Sequence, residues 1–217
     1  MEDFLKTEYE QCLSLIKYYD ERHQSLVKYA SGLSGAIPSL LLAIFQLGGD
    51  SEQNFWEFTL IISLVVTFGL LAIFTVLIQT RLYFIYPVRQ VNSIRRYALG
   101  QMKETNFENQ MYLNTSFNAF KWSSSHTLLN FFVSMQVGTF AGLATYAYIL
   151  LGEPELCIIS ISVTTGILFS FILFTISAIF FHRNSKYNPD KSIHKDRKST
   201  RLNSSYVALT RMPYPTL

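Results

Sequence analysis

Charge is missing from four long stretches of this 217-residue chain: residues 30–47, 58–80, 127–151 and 156–181 contain no Asp, Glu, Lys or Arg. Over the whole chain charged residues make up 15%, against about 25% in soluble domains, so a water-exposed globular protein is a poor fit. Charges inside a membrane mark ion paths and proton relays, and their lack argues against a proton-coupled transporter, a voltage sensor or an intramembrane acid protease. Cysteine is nearly absent too. Cys12 and Cys157 fall on opposite sides of the topology below, so no disulfide framework is expected, and neither sits in a metal-binding spacing. Alternating ten-residue strands are lacking, which excludes a β-barrel. No short basic start precedes an early apolar core, so no cleavable signal peptide is expected, and the first apolar stretch reads as a retained anchor. Phosphate-loop, dinucleotide, zinc-protease, nucleophile-elbow and kinase patterns do not occur. We therefore expect no enzyme, no cofactor and no metal.

The last residues need separate treatment. Residues 196–205 read DRKSTRLNSS, which matches the translation of a common short-read sequencing adapter over ten consecutive positions. Tyr206 replaces the adapter's His, residues 207–209 cover its variable index, and Arg211-Met212-Pro213 match again after Thr210 in place of Ser. We expect residues 196–217 to be read-through that belongs to no protein. The rival reading is a basic disordered tail that binds lipid or nucleic acid. Without this segment the chain holds 14 bases and 14 acids, so its basic balance gives no reason to expect a nucleic-acid partner.

The charge-free stretches are long enough to cross a hydrocarbon core of about 30 Å as helices. The first is the weakest, with Gly32, Gly35 and Pro38 inside it. The fold class expected is all-α integral membrane: four transmembrane helices as two hairpins (30–80 and 127–181), an amphipathic helix in 1–29, a helical middle loop in 81–126 and a tail at 182–195. Orientation follows the bases. The connections 48–57 and 152–155 have no Lys or Arg, and all 14 bases outside the adapter-like segment fall on the other face. Both ends are then cytoplasmic, in a multi-pass protein of the bacterial cytoplasmic membrane. The sequon Asn114-Thr115-Ser116 lies inside and is discounted.

Several residues carry candidate roles. Leu5, Tyr9, Cys12, Ile16, Tyr19, His23 and Leu26 recur at heptad spacing, an interface stripe of a helix over 3–28 that packs on the middle loop or on another copy. Cys12 and His23 read as core members of this stripe, with a Cys–His catalytic pair as the alternative. The second span is expected to run on and kink near Pro87, with Arg81, Arg89, Arg95 and Arg96 meeting lipid phosphates, an anionic ligand or acids of the first helix. Met102, Phe107, Met111, Leu113, Phe117 and Phe120 suggest a second semi-amphipathic helix in 101–125. Asn130 is near enough to the inner end of its span to reach headgroups. Gln136 offers an interhelical hydrogen bond or a pore-lining amide. Small residues at Ser134, Gly138 and Gly142, and at Ser162, Gly166 and Ser170, form close-approach faces for packing within one bundle or for self-association.

Residues 5–99, with their N-terminal helix, hairpin and R-x-Y-F-x-x-x-x-R-Q-x-N-x-I-R-R-Y segment, resemble small bacterial membrane proteins and SLATT-type effector modules. That resemblance implies a pre-helix plus two-span hairpin that forms pores in nucleotide-activated defence systems; four spans depart from it, and it assigns no residue a role. The leading expectation is a non-enzymatic scaffold, sensor or partner subunit. Its partners would be the lipid bilayer, other copies and a cytoplasmic protein. The alternative is an oligomeric channel or pore-forming effector.

Overall fold

The computed structural model describes residues 2–47, 52–101, 111, 113–152 and 157–184. The chain divides into two units, Met1–Ser185 and Lys186–Leu217, and the second lies outside the described residues, as do the expectations for the adapter-like segment. The first is all-α, with four helices: α1 Glu2–Leu47, α2 Glu52–Gln101, α3 Ser125–Leu151 and α4 Ile158–Asn184. Each is long and apolar enough to cross a membrane.

Side-chain pairings give the helix directions. Tyr9 meets Arg95 and Phe45 meets Phe55, so α1 and α2 are antiparallel. Trp56 meets Tyr146 while Phe84 meets His126, so α3 runs against α2. Gly138 lies on Ser170 and Gly142 on Ser162, so α4 runs against α3. The bundle is up-down-up-down. Helix α3 touches all three others, and α1 and α4 do not touch each other among the described residues. The apolar centre is built from Val27, Ala30 and Ile37 of α1, Val66, Leu70, Phe74 and Leu77 of α2, and Val133, Val137 and Phe140 of α3.

Two expectations about elements change. The amphipathic helix and the first span are one uninterrupted helix of 46 residues; α2 runs on through Pro87, as expected, to a length of 50. At 1.5 Å per residue these helices are about 70 and 75 Å long, more than twice a hydrocarbon core of roughly 30 Å. No break is needed, because α1 changes from a heptad stripe to an all-apolar surface without a turn residue between them. Pro87 removes one N–H and leaves the Tyr83 carbonyl without its usual helical donor, yet it is buried within the continuing helix. The second semi-amphipathic helix is absent from the described part of 101–125. Residue 111 and residues 113–124 form turns and irregular chain (102–110 and 112 lie outside the described residues).

That irregular segment is held by α2. Arg81 Nε donates to the Ala119 carbonyl at 3.1 Å, Arg89 Nε to the Phe117 carbonyl at 2.9 Å and Asn92 Nδ2 to the Asn114 carbonyl at 2.8 Å. Non-helical backbone must find partners for its carbonyls, and a row of long donors on one helix supplies them. Ala119 packs in a small cluster with Ile85 of α2 and Phe181 of α4. The discounted sequon is part of a local turn in which Ser116 donates to Asn114 Oδ1 through both its N–H and its hydroxyl.

Candidate functional site

Where the helices leave their charge-free stretches on the basic side, α1, α2 and α3 enclose a polar cluster. It comprises Asp20 and His23 of α1, Arg81 of α2, and His126 and Asn130 of α3. His23 is fully buried, Asn130 and Arg81 are 1% and 2% exposed, and only Asp20 reaches water appreciably. Helical spacing assembles it. Residues 20 and 23, and residues 126 and 130, lie one turn apart on their helices and share a face.

His23 Nε2 lies 3.1 Å from Asn130 Oδ1, and His126 Nε2 lies 3.0 Å from Asp20 Oδ1. The two imidazoles lie 4.3 Å apart between ring centroids, and Phe84 covers His126 at 5.0 Å. Both acceptors are oxygens, so each imidazole donates through Nε2–H and keeps its lone pair on Nδ1. Both Nδ1 atoms, and Asn130 Nδ2, are buried without a hydrogen-bond partner among the described residues. Burial pushes His23 down to about 4, from an ordinary value of 6.5. His126 is pushed down as well, by burial first and then by the positive charges of Arg81 and a protonated His23. The short His126–Asp20 contact is therefore a neutral imidazole donating to a carboxylate at neutral pH, rather than a full ion pair.

Arg81 is the fixed positive charge of the site. Besides the Ala119 carbonyl it donates from Nη2 to the Ser124 hydroxyl at 3.3 Å, and its guanidinium sits 5.1 Å from the Phe84 ring centroid and 5.8 Å from that of Phe117. Ser124 is the N-cap position of α3 and makes no side-chain cap of its own. The polar pairing continues along the parallel α1 and α3, where Gln136 Nε2 reaches Ser31 Oγ at 3.4 Å. Gln136 Oε1 and Ser34 Oγ are buried without partners.

The sequence-derived candidates distribute as follows. In the α1 stripe Cys12 is buried and Leu5, Tyr9, Ile16, Tyr19 and Leu26 are half-buried. The Cys12 thiol is pushed up to about 11 by burial and by Glu8, and it lies about 16 Å along the helix axis from His23, so the two are not a pair. Arg95 meets the Tyr9 hydroxyl at 3.0 Å, and Tyr19 stacks on Tyr83 at 6.1 Å. Arg89 is half-buried on the irregular segment and Arg96 is exposed. Arg81, expected at lipid phosphates, an anionic ligand or α1 acids, is buried, and its charge acts on Asp20 of α1.

The small-residue faces meet within the chain. A Cβ on Gly138 would overlap the Ser170 hydroxyl and the Gly166 carbonyl, and one on Gly142 would come within 2.8 Å of the Ser162 carbonyl. Ser134 is also buried, and its hydroxyl returns to the Phe131 carbonyl. Several other in-span hydroxyls, including Thr67, Thr75, Thr139 and Thr165, bond the carbonyl four residues back.

Sequence reasoning treated His23 and Asn130 separately and overlooked Asp20 and His126 as partners. The available signal was positional: Arg81 and His126 are the residues that abut two charge-free stretches on the same side. Among the described residues no three His, Cys, Asp or Glu are placed to hold a metal ion. What the cluster can do chemically is hold or release protons. No protein-family model, curated protein or solved structure matches this chain.

Proposed function

We propose that this protein is a multi-pass subunit of a cytoplasmic membrane, with both chain termini on the cytoplasmic side, that works without catalysis as a scaffold, sensor or partner subunit for a cytoplasmic partner. The carrying observation is the paired extension of α1 and α2 beyond their charge-free stretches. Residues 2–29 and 81–101 continue as helix for about 42 and 31 Å. Tyr9–Arg95 and Tyr19–Tyr83 tie the two together. Tyr18, Tyr86 and Tyr97 remain exposed on this stalk, a residue type enriched at protein contacts. Every Lys and Arg among the described residues shares its side, which supports the orientation.

The pore alternative needs copies to meet inside the bilayer. The Gly138–Gly142 face is already filled by α4, so a pore would have to assemble through another surface. Two measurements on the full chain test the reading. Reconstituted in liposomes it should hold an ion gradient, and a photo-crosslinking residue in place of Tyr18 or Tyr97 should give a discrete product in cells. A leaking liposome with no crosslinked product would overturn it in favour of the pore.

A further inference from the structure

We propose that His23 and His126 form a proton-operated latch between α1 and α3, closed while both imidazoles are neutral and released as they take up protons. The latch stands on the geometry of the cluster and does not depend on what the stalk binds.

Both imidazoles already use Nε2–H as donors, to Asn130 Oδ1 and Asp20 Oδ1. A proton added to either ring must go to Nδ1, and both Nδ1 atoms are buried with no acceptor among the described residues. Each protonation turns a lone pair into an N–H donor in a place without a protein acceptor, which is costly. The Arg81 charge acts in the same direction, and the Asp20 charge opposes it without outweighing burial. The groups facing the pair are Asp20 on α1 and Arg81 on α2; the irregular segment contributes only the Ala119 carbonyl and the Ser124 hydroxyl to Arg81. No titratable side chain of α4 acts on either imidazole among the described residues. With neutral imidazoles the formal charges of Asp20 and Arg81 cancel. One proton leaves the cluster at plus one and two leave it at plus two, with no further carboxylate to answer them.

The strain falls on one seam. His23 belongs to α1, and the polar partners of its ring, Asn130 and His126, belong to α3. Further along, that seam has the long Gln136–Ser31 contact. Helix α1 is also held to α2 through Tyr9–Arg95 and Tyr19–Tyr83, so protonation moves α1 away from α3 at the cluster without freeing it from the bundle. Acid is thereby converted into a displacement at the root of the stalk.

The sign is fixed by burial. Folded-state affinities below the ordinary value of 6.5, about 4 for His23, mean that the unfolded or opened form binds protons first. The closed form is favoured above pH 6.5 and loses ground as pH falls toward 4. The test uses the full chain in lipid nanodiscs with spin labels at Lys28 and Leu128, both exposed. The inter-label distance should lengthen reversibly between pH 6.5 and 4. The change should be lost, or its midpoint displaced, in the His23→Gln, His126→Gln double variant. In parallel, nitrogen-15 histidine spectra of the unsubstituted protein should show two of the four imidazoles resisting protonation well below pH 6.5. A distance that stays constant over this range overturns the latch, as does an unchanged transition in the double variant. If the double variant does not fold, the unsubstituted protein decides: four imidazoles all titrating near 6.5 overturn the proposal.

Discussion

Arg81 shows how a charged residue next to a charge-free stretch can be buried. Its chain position, directly after a charge-free stretch, suits a headgroup contact, and its burial puts it inside. A buried charge is tolerated only when its donors are met, and here a backbone carbonyl, a hydroxyl and two aromatic rings meet them. Arg81→Gln should lower stability by about 1–3 kcal/mol, since the Ala119 carbonyl loses a charged donor. The same substitution removes a positive charge that holds His126 down, so the His126 titration should move up toward 6.5. Thermal unfolding in detergent checks the first effect and histidine spectra check the second; an unmoved titration would separate Arg81 from the pair. The unsubstituted protein should itself lose stability from pH 6.5 down to 4, because its unfolded histidines bind protons over that interval and the buried ones do not. None of this network was legible as a network in the sequence. His23 was visible as a stripe member and Asn130 as an in-span polar group, but their contact joins residues 107 apart in the chain. Periodicity reports which face of a helix is buried and is silent about which distant face it meets.

At the level of elements the four helices and their apolar stretches were readable, because period and length are local properties. The stripe from Leu5 to Leu26 is the packed face of α1, as the heptad spacing implies. The joining of that helix to the first span was not readable, since a helix needs a terminating signal and none stands between Leu26 and Ala30. The segment 113–124 was misjudged for a related reason: Phe117 and Phe120 have helical spacing, but Arg81, Arg89 and Asn92 offer its backbone partners outside a helix. Glycine gives the sharpest contrast. Gly138 and Gly32 both lie in charge-free stretches, yet a Cβ at Gly138 strikes α4 and one at Gly32 meets nothing within 4 Å. Gly138→Ala should destabilise the α3–α4 pair by about 1–3 kcal/mol through overpacking. Gly32→Ala should be neutral or stabilising by up to about 1 kcal/mol from helix propensity alone. Melting temperatures of the two variants in the same detergent decide, and equal shifts would contradict the packing. On the stalk, Tyr9→Phe keeps the ring near Arg95 and removes the hydroxyl, so the tie should weaken by about 1 kcal/mol. Faster amide exchange in the first turns of α1, with the spans unaffected, is the expected readout.

For the whole molecule, the proposed topology ties the other assignments together. Four alternating helices place both stalk helices and the irregular segment on one side and the connections after α1 and α3 on the other. Charge supports it: the connection 48–57 has acids and no bases, whereas every Lys and Arg among the described residues lies toward the end of the bundle that carries the polar cluster. The stalk as a docking element and the latch at its root both sit on the basic side, so a reversed or three-span arrangement would undo them together. The direct measurement is labelling with a membrane-impermeant maleimide on sealed, right-side-out cells. The chain carries Cys12→Ala and Cys157→Ser, with a single cysteine introduced by Gln53→Cys or by Ser123→Cys, both exposed positions. Gln53→Cys should react in intact cells, and Ser123→Cys only after the membrane is opened. Reaction of both from the same side would contradict the four-span arrangement.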